Sequence, residues 1–405
     1  MSTVLFLAHR LPFPPHKGDK VRSYHLLRHL AARHRVYLGT FIDDPEDERY
    51  VETVRSMCAG LHVARLRSRA ARWRSLQGLA TGAPLTVHYY QDAGLKRWVR
   101  QMASKHQLDA SVVFSSSMAQ YAIDLPGVPM LVDFVDVDSA KWTAYAASHR
   151  WPLGPLYARE GRELLAYERE VAGRARRSFF VTESEAALFR ELAPECAASA
   201  EAIGNGVDGE YFSPATTRAS PFEEDETALV FTGSMDYWPN IEAVTWFAQD
   251  ILPRLRSSWP QARFHIVGRA PSDAVHALAS DVVSVTGAVP DIRPYLQHAQ
   301  VVVAPLRLAR GIQNKILEAM AMGRPVVASE ACMAGIDAQA GSELLVASTA
   351  ESFAAQVDAL LRAPARAAAV GAAARRRVIG HYSWDANLAA IDRYLEVAQP
   401  CEVAL

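Results

Sequence analysis

The stretch from Val301 to Ser329 constrains the fold more than any other part of this sequence. It begins with an apolar, β-branched run at 301–304, which is typical of a buried parallel strand. We expect Gly311 to open a helix and Gly323 to end it, before a second apolar run at 326–328. The order strand, loop, helix, strand predicts one βαβ unit of an open parallel sheet.

The predicted helix has two faces of different character. Apolar residues recur on one side at helical spacing: Ile316, Leu317, Met320 and Ala321. Gly311, Lys315 and Glu318 share the other side at i, i+4 and i+7. Because open α/β sheets bind ligands at the carboxyl ends of their strands, the polar side is predicted to face a ligand.

The chemistry of that polar side fits a nucleotide diphosphate. A helix N-terminus offers unpaired N–H groups and partial positive charge to an anion, and Gly311 lets the backbone come close. Lys315 adds a point charge for phosphate, and Glu318 can accept hydrogen bonds from two adjacent ribose hydroxyls. The alternative is a plain amphipathic helix whose Lys–Glu pair contributes about 0.2–0.5 kcal/mol. This stretch alone leaves both interpretations open.

Composition limits the number of domains, the class of partner and the cellular compartment. A length of 405 residues predicts about two domains, and a net charge of −1 argues against a nucleic-acid partner. Four widely spaced cysteines without CxxC pairs are typical of free thiols in a reducing compartment. No apolar run approaches the roughly 20 residues that span a bilayer, and the N-terminus enters a strand-like run directly. We therefore expect a cytoplasmic protein, with at most a peripheral contact on the inner face of the plasma membrane.

The first half opens with a predicted βαβ unit. Its first loop is rich in proline, and Gly18 stands just before the helix, so the backbone can approach a ligand there. The loop and the helix start are basic: Arg10, Lys17, Lys20 and Arg22. We expect these cations to face donor phosphates or an anionic acceptor, the alternative being solvated charges. Neither a GxGxxG fingerprint nor a Walker pattern occurs, which argues against dinucleotide enzymes and NTPases.

One region is strongly cationic and amphipathic. Five arginines lie between Arg65 and Arg74 without any acid, and Trp73 lies among them. This pattern predicts a peripheral contact with anionic lipid head groups, with Trp at the interface. A solvated helix face is the alternative interpretation.

Two segments carry a family resemblance. Leu317–Val327 (LEAMAMGRPVV) resembles the donor-binding signature of retaining GT-B glycosyltransferases, glycosyltransferase family 4 in particular. NGVD at 205–208 with YFSP at 211–214 resembles the element that ends their first domain. The resemblance implies an α/β protein of two Rossmann-like, doubly wound domains facing across a cleft, with a C-terminal helix that crosses back to the first. The implied domains are 1–214 with 384–405, and 226–383.

The resemblance also implies roles for particular residues. Glu318 takes the place of the glutamate that holds the donor ribose, and backbone groups near Val289 hold the base. The family's other glutamate falls on Arg310, which we expect at the catalytic centre, in contact with phosphate or sugar. Its phosphate-binding Arg and Lys after the strand at 229–232 have no counterpart here. The predicted donor site comprises Gly18, Gly233, Gly268, Val289, Arg310, Gly311, Lys315 and Glu318.

The acceptor side is implied to border the strand that begins at Met130. Asp133 and Asp136 are the candidates to orient or deprotonate an acceptor hydroxyl. Asp136 and Asp138 also form a DxD pattern, but the fold that uses DxD for a metal has one domain, so we predict no metal. No cofactor is predicted beyond a UDP- or GDP-linked donor substrate.

The predicted function is metal-independent transfer of a sugar, with retention, to an acceptor hydroxyl on a lipid-linked or polysaccharide intermediate. The stretches HRLPFPPHKGDK and DFVDVDS are similar to sugar transferases of exosortase-associated exopolysaccharide loci. Two alternatives stay open: a nucleotide-sugar 2-epimerase of the same architecture, and a non-catalytic sugar-nucleotide-binding protein. Arg310 in place of a glutamate is the feature that keeps the second alternative open.

Overall fold

The structure is a computed structural model that describes residues 1–15, 18–66, 68–309, 312–333 and 335–396. The chain forms two compact units. The first comprises Met1–Gly204 and the chain from Leu388, and the second comprises Asn205–Asn387. Each unit is a parallel sheet with helices, so the prediction of two Rossmann-like α/β units is confirmed.

The first unit is built on a sheet of seven parallel strands. They are β1 (Thr3–Ala8), β2 (Arg35–Ile42), β3 (Gly60–Arg65), β4 (Ala110–Phe114), β5 (Met130–Val135), β6 (Arg177–Phe180) and β7 (Ala200–Ala202). They lie in the order β3-β2-β1-β4-β5-β6-β7, so the strand order reverses between β1 and β4. Open α/β sheets bind ligands at such a switch point.

The helices of the first unit follow its strands in sequence. They are α1 (Gly18–Arg33), α2 (Val51–Arg55), α3 (Ser68–Ser75), α4 (Gln77–Thr81), α5 (Leu85–Tyr89), α6 (Ala93–Lys105), α7 (Asp138–Ser148), α8 (Leu153–Arg174) and α9 (Glu183–Leu192). Side-chain caps are described at the starts of two of these helices. The Asp92 carboxylate accepts from the backbone N of Leu95 before α6, and the Thr182 hydroxyl accepts from that of Glu185 in α9.

The second unit has a sheet of six parallel strands. They are β8 (Thr227–Thr232), β9 (Ala262–Val267), β10 (Val283–Gly287), β11 (Val301–Ala304), β12 (Val326–Ser329) and β13 (Leu345–Ala347). The order β10-β9-β8-β11-β12-β13 places the switch point between β8 and β11. Strands β8, β11 and β12 are buried along their whole length, as strands covered on both faces should be.

Eight α-helices complete the described part of the second unit. They are α10 (Trp238–Trp246), α11 (Leu252–Arg256), α12 (Asp273–His276), α13 (Arg293–His298), α14 (Asn314–Ala321), α15 (Glu330–Met333), α16 (Ala350–Arg362) and α17 (Pro364–His381). A π-helical turn, Phe247–Ile251, joins α10 to α11. After α14, Gly323 takes a φ of 68°, which confirms the predicted glycine stop.

The two compact units divide the chain differently from the implied domains, since residues 205–214 and 384–387 fall in the second unit. The backbone N of Val207 donates to the carbonyl of Tyr382 at 2.7 Å, which binds the NGVD element to the end of α17. The last helix, α18 (Trp384–Glu396), begins in the second unit and enters the first at Leu388. There the Asp392 carboxylate lies 2.8 Å from His29 Nε2.

Candidate active site

A side-chain hydrogen bond spans the switch point of the second unit. Helix α10 follows β8 and α14 follows β11. Lys315 Nζ, on α14, donates to Asn240 Oδ1, on α10, at 2.6 Å. Asn240 Nδ2 donates in turn to the carbonyl of Ser234 at 2.8 Å. One amide therefore fixes both the lysine and the loop that leaves β8.

The Lys315 side chain is partly buried, and its ammonium has few partners among the described residues. It lies 4.2 Å from the centroid of the Phe231 ring, within the range of a cation–π contact. Burial lowers the pKa of Lys315 to about 8, although the nearby Glu318 carboxylate acts in the opposite direction. A desolvated ammonium with a lowered pKa gains stability when an anion arrives, which suits a phosphate-binding role.

Glu318 lies one turn further along α14, on the side that carries Lys315. Burial raises the pKa of Glu318 to about 7, and the Lys315 charge opposes this increase. No hydrogen bond from a side chain in the described part of the chain reaches its carboxylate, which is partly exposed. This carboxylate is therefore available to hydroxyl groups of a ligand.

The two predicted glycines of this edge are closely packed, Gly268 against backbone and Gly233 against side chains. A Cβ atom on Gly268 would lie 1.6 Å from the carbonyl oxygen of Gly233, and Gly268 has a φ of 153°. A Cβ atom on Gly233 would lie 2.9 Å from Asn240 Nδ2 and 3.2 Å from Lys315 Nζ. The loops after β8 and β9 thus meet directly beside the lysine.

The structure brings most of the predicted donor-site residues to one edge of the second sheet. Gly233, Gly268 and Val289 follow β8, β9 and β10 respectively, and Lys315 and Glu318 follow β11. Val289 is partly buried against the core of the unit. Two members of the predicted set, Arg310 and Gly311, lie outside the described residues.

The predicted start of the site helix is wrong. Ile312 and Gln313 are not helical, and α14 begins at Asn314 rather than at Gly311. Gln313 takes an extended conformation, with φ −88° and ψ 93°, at the N-cap position. Lys315 is therefore the second residue of the helix, close to its free N–H groups.

Sequence reasoning missed two residues at this edge. Asn240 is not among the predicted site residues, although Pro239-Asn240 is typical of a helix start. Arg269 follows Gly268, and its carbonyl accepts from the backbone N of Met235 at 2.9 Å. Its guanidinium has no acidic partner in the described chain, and its Nε atom is buried without a hydrogen bond. Arg269 is thus a second cation available to a ligand.

In the first unit, Asp133 lies in a buried ion pair. Arg22 Nε donates to Asp133 Oδ2 at 2.7 Å, and a terminal nitrogen of Arg22 donates to Oδ1 at 3.1 Å. Arg22 also donates to the carbonyl of Ile203 at 2.8 Å. The Asp133 side chain is 1% exposed. This geometry favours a structural role, linking α1, β5 and the end of β7, over contact with an acceptor.

The interpretation of the first loop as a basic surface is wrong for Lys20 and Arg22. Lys20 Nζ lies 2.6 Å from Asp47 Oδ2, and both side chains are buried. Arg22 is the partner of Asp133, while Lys17 lies outside the described residues. Gly18 is the first residue of α1, and a Cβ atom there would have no neighbour within 4 Å. Lys20 and Arg22 are therefore engaged in internal ion pairs and do not face a ligand.

Asp136 differs from Asp133 in keeping an acceptor atom free. Its Oδ2 atom accepts from Lys141 Nζ at 2.7 Å, and Lys141 also donates to Asp138 at 3.0 Å. Its Oδ1 atom is buried without a partner. Asp136 follows β5 at the carboxyl edge of the first sheet. Among the described residues, no cluster of three His, Cys, Asp or Glu side chains could hold a metal ion.

Comparisons with known proteins bear on this site. Residues 226–363 match the family model for glycosyl transferases group 1. No match was found among curated protein sequences. Within the described helices, none is both long enough and apolar enough to span a bilayer.

Several solved structures have a similar fold. HepE from Anabaena, in complex with UDP and glucose, is 16% identical, with a TM-score of 0.67 over 98% of this chain and 100% of that chain. Sucrose-phosphate synthase from Thermosynechococcus elongatus is 18% identical, with a TM-score of 0.70 over the same shares. WaaG, a glycosyltransferase involved in lipopolysaccharide biosynthesis, is 18% identical with a TM-score of 0.65 over 98% and 100%.

At these identities the structural likeness establishes the fold, and the family match covers the region that contains Lys315 and Glu318. The chain therefore has the two-domain, Rossmann-like GT-B fold, and residues 226–363 of its second unit match the model for glycosyl transferases group 1.

Proposed function

We propose that this protein is a glycosyltransferase that moves a sugar, with retention and without a metal, from a nucleotide-diphosphate sugar to an acceptor hydroxyl. One observation carries the proposal. Lys315 and Glu318 lie one turn apart on α14, beside the switch point of the domain matched by the glycosyl transferases group 1 model. The cation suits the diphosphate, and the unpaired carboxylate suits the ribose.

The diphosphate is proposed to bind between α14 and the loop after β8. Lys315 supplies a charge held in place by Asn240, and the N–H groups at the start of α14 supply a partial positive charge. Arg269 is a further cation on the neighbouring loop and compensates for the Arg and Lys that the loop after β8 lacks. Charge on the leaving diphosphate is then stabilised by protein groups instead of a divalent metal.

The proposed reaction breaks one bond and forms one. The bond between the anomeric carbon and the diphosphate oxygen breaks, and its electron pair leaves with the nucleoside diphosphate. The acceptor oxygen bonds to the same face of the anomeric carbon, and its proton passes to the departing phosphate oxygen. The products are a nucleoside diphosphate and a glycoside of unchanged anomeric configuration.

The base is proposed to be uracil, or guanine as the alternative, near the backbone at Val289. HepE is described in complex with UDP and with UDP-glucose, which supports uracil. The acceptor is proposed to be a lipid-linked or polysaccharide intermediate, and the free Oδ1 atom of Asp136 makes that residue the candidate to orient its hydroxyl. With such an acceptor, the proposed reaction belongs to envelope-glycan assembly on the cytoplasmic side of the membrane.

The deciding experiment has two stages. Calorimetry against UDP, GDP, UMP and uridine should identify the base and give an affinity that rises with each added phosphate. NMR of the reaction with the matching nucleotide sugar and an acceptor panel should show a glycoside with the donor's anomeric configuration. A donor converted to its 2-epimer without acceptor would identify an epimerase, and tight donor binding without turnover would identify a binding protein.

A further inference from the structure

The exposed apolar side chains of the first unit are concentrated in two segments. Apart from Met1, every large apolar side chain described as exposed in this unit belongs to α3–α4 or to the turn between α7 and α8. In the first segment these are Trp73, Leu76 and Leu79, and in the second they are Trp151 and Leu153. Trp73 is 76% exposed and Trp151 is 84% exposed. Such clustering marks an interaction surface.

Two side chains of α8 join these segments. The guanidinium of Arg159 donates to the carbonyls of Gly78 and Ala83, at 2.6 and 3.3 Å. The carboxylate of the neighbouring Glu160 accepts from the two backbone N–H groups that open α5, at 2.8 and 2.9 Å. Leu153 precedes Arg159 by six residues, a rise of about 9 Å along the helix. These hydrogen bonds therefore hold the α4–α5 connection close to the first turns of α8.

A tight helical hairpin supports the second segment. A Cβ atom on Gly161 of α8 would lie 2.5 Å from Thr143 Oγ1 of α7, so the two helices cross at close range. The rings of Trp142 and Tyr157 pack 5.2 Å apart between the same helices. Trp151 projects from a supported turn, which lowers the entropy lost when it binds a partner.

The charge of both segments has one sign. Residues 66–91 and 139–158 contain no acid, although the chain has 44 acidic residues among 405. Lys141 is neutralised by its ion pairs with Asp136 and Asp138. The other cations in these two stretches of sequence are Arg67, Arg69, Arg72, Arg74 and Arg150. Arg150 is exposed and has no acidic partner in the described chain. Several other exposed arginines of the first unit do pair with acids, for example Arg65 with Glu48 and Arg174 with Glu170.

We propose that α3, α4 and the α7–α8 turn form one surface that docks on an anionic lipid bilayer, with Trp73 and Trp151 as its anchors. Apolar side chains enter the head-group region while the arginines neutralise lipid phosphates. A second copy of the chain is a less favourable partner for this surface. A symmetric contact would place two positively charged, acid-free surfaces against each other, and they would repel. The surface deepens the proposed function, since a bilayer presents a lipid-linked acceptor, but its test requires no turnover.

The test is sedimentation of the full-length protein with vesicles of phosphatidylcholine alone or mixed with phosphatidylglycerol. We expect binding to the mixed vesicles only, weakened by salt because exposed charges are screened. Trp73→Ser and Trp151→Ser should each weaken binding about tenfold, the scale for half-burying a large apolar side chain. Arg150→Glu should weaken it about fivefold or more, from roughly 1 kcal/mol per cation at the surface.

Trp238→Ser is the matched control, because that Trp is 48% exposed but belongs to the second unit. It should bind vesicles as the wild type does, and unchanged thermal midpoints should show that all variants fold. Failure of the wild type to bind mixed vesicles at low salt would overturn the proposal, as would equal binding by the control and the two Trp variants. Sedimentation without lipid showing a dimer that Trp151→Ser dissociates would assign the surface to self-association instead.

Discussion

The variant Glu318→Gln tests whether the Glu318 carboxylate binds a ligand or stabilises the fold. No side chain in the described chain donates to this carboxylate, so Gln forfeits no internal hydrogen bond. A hydrogen bond to a charged group contributes about 1.5–3 kcal/mol, which corresponds to a loss of about 10- to 150-fold in UDP affinity. Glu318→Ala, which keeps no acceptor, should lie at the upper end of that range.

The pH dependence of UDP affinity gives a second test of the Glu318 carboxylate. With a pKa of about 7, Glu318 is about nine-tenths ionised at pH 8 and about one-tenth ionised at pH 6. The ratio of UDP affinities between wild type and Glu318→Gln should therefore shrink by up to about tenfold from pH 8 to pH 6. Comparing the two proteins at the same pH cancels the titration of Lys315 and of the UDP phosphate.

In the ligand-free protein, ionisation of Glu318 should lower the free energy of unfolding. The pKa of Glu318 is raised in the folded state, so its contribution to the free energy of unfolding is present below pH 4.5 and is lost as pH rises through 7. That loss is up to about 3 kcal/mol, and Gln does not incur it. We expect the variant without ligand to be at least as stable as the wild type at pH 8, measured by urea unfolding.

Glu330→Gln is the control, since Glu330 is exposed on α15 of the same unit. It should change neither UDP affinity nor its pH profile. An unchanged UDP affinity in Glu318→Gln, together with a lower free energy of unfolding, would show that Glu318 serves the fold, and the donor-site assignment would be wrong.

Four further predictions concern the same site. Lys315→Met should weaken binding of a nucleotide-diphosphate sugar and remove the decline in affinity that we expect above pH 8, where the ammonium loses its proton; calorimetry across pH 6–9 would contradict this if the decline persisted. Lys315 is the sole lysine between 205 and 387, so an amine-acylating reagent at pH 8 should modify the second unit there only, and UDP should protect it, as peptide mass spectrometry can establish. Asn240→Leu should weaken UDP binding about tenfold while leaving uridine binding nearly unchanged, because Asn240 acts through Lys315 on the phosphates; equal losses for both ligands would indicate a collapsed loop. EDTA should leave the transfer rate intact, and a strict requirement for added Mg²⁺ would refute metal independence.

Local sequence patterns predicted many of the secondary-structure elements. The apolar runs at 301–304 and 326–328 gave strands because only a buried parallel strand accommodates such runs in a short βαβ unit. Helical spacing alone predicts that Lys315 and Glu318 share the polar side of α14. The start of α14 was misplaced because glycine permits a helix without requiring one.

The sequence pattern did not show which charged side chains are paired inside the fold and which are free. The sequence presents Lys20, Arg22 and Asp133 as exposed chemistry near strand ends, yet their partners are more than 25 residues away and bury all three. Asn240 and Lys315, 75 positions apart, meet only because β8 and β11 are neighbours in the sheet. The sequence by itself determined the two α/β units and the polar face of one helix, since both depend on spacings of a few residues. Only the tertiary structure decided which charges neutralise one another and which stay free for a ligand, because that depends on which strands pair.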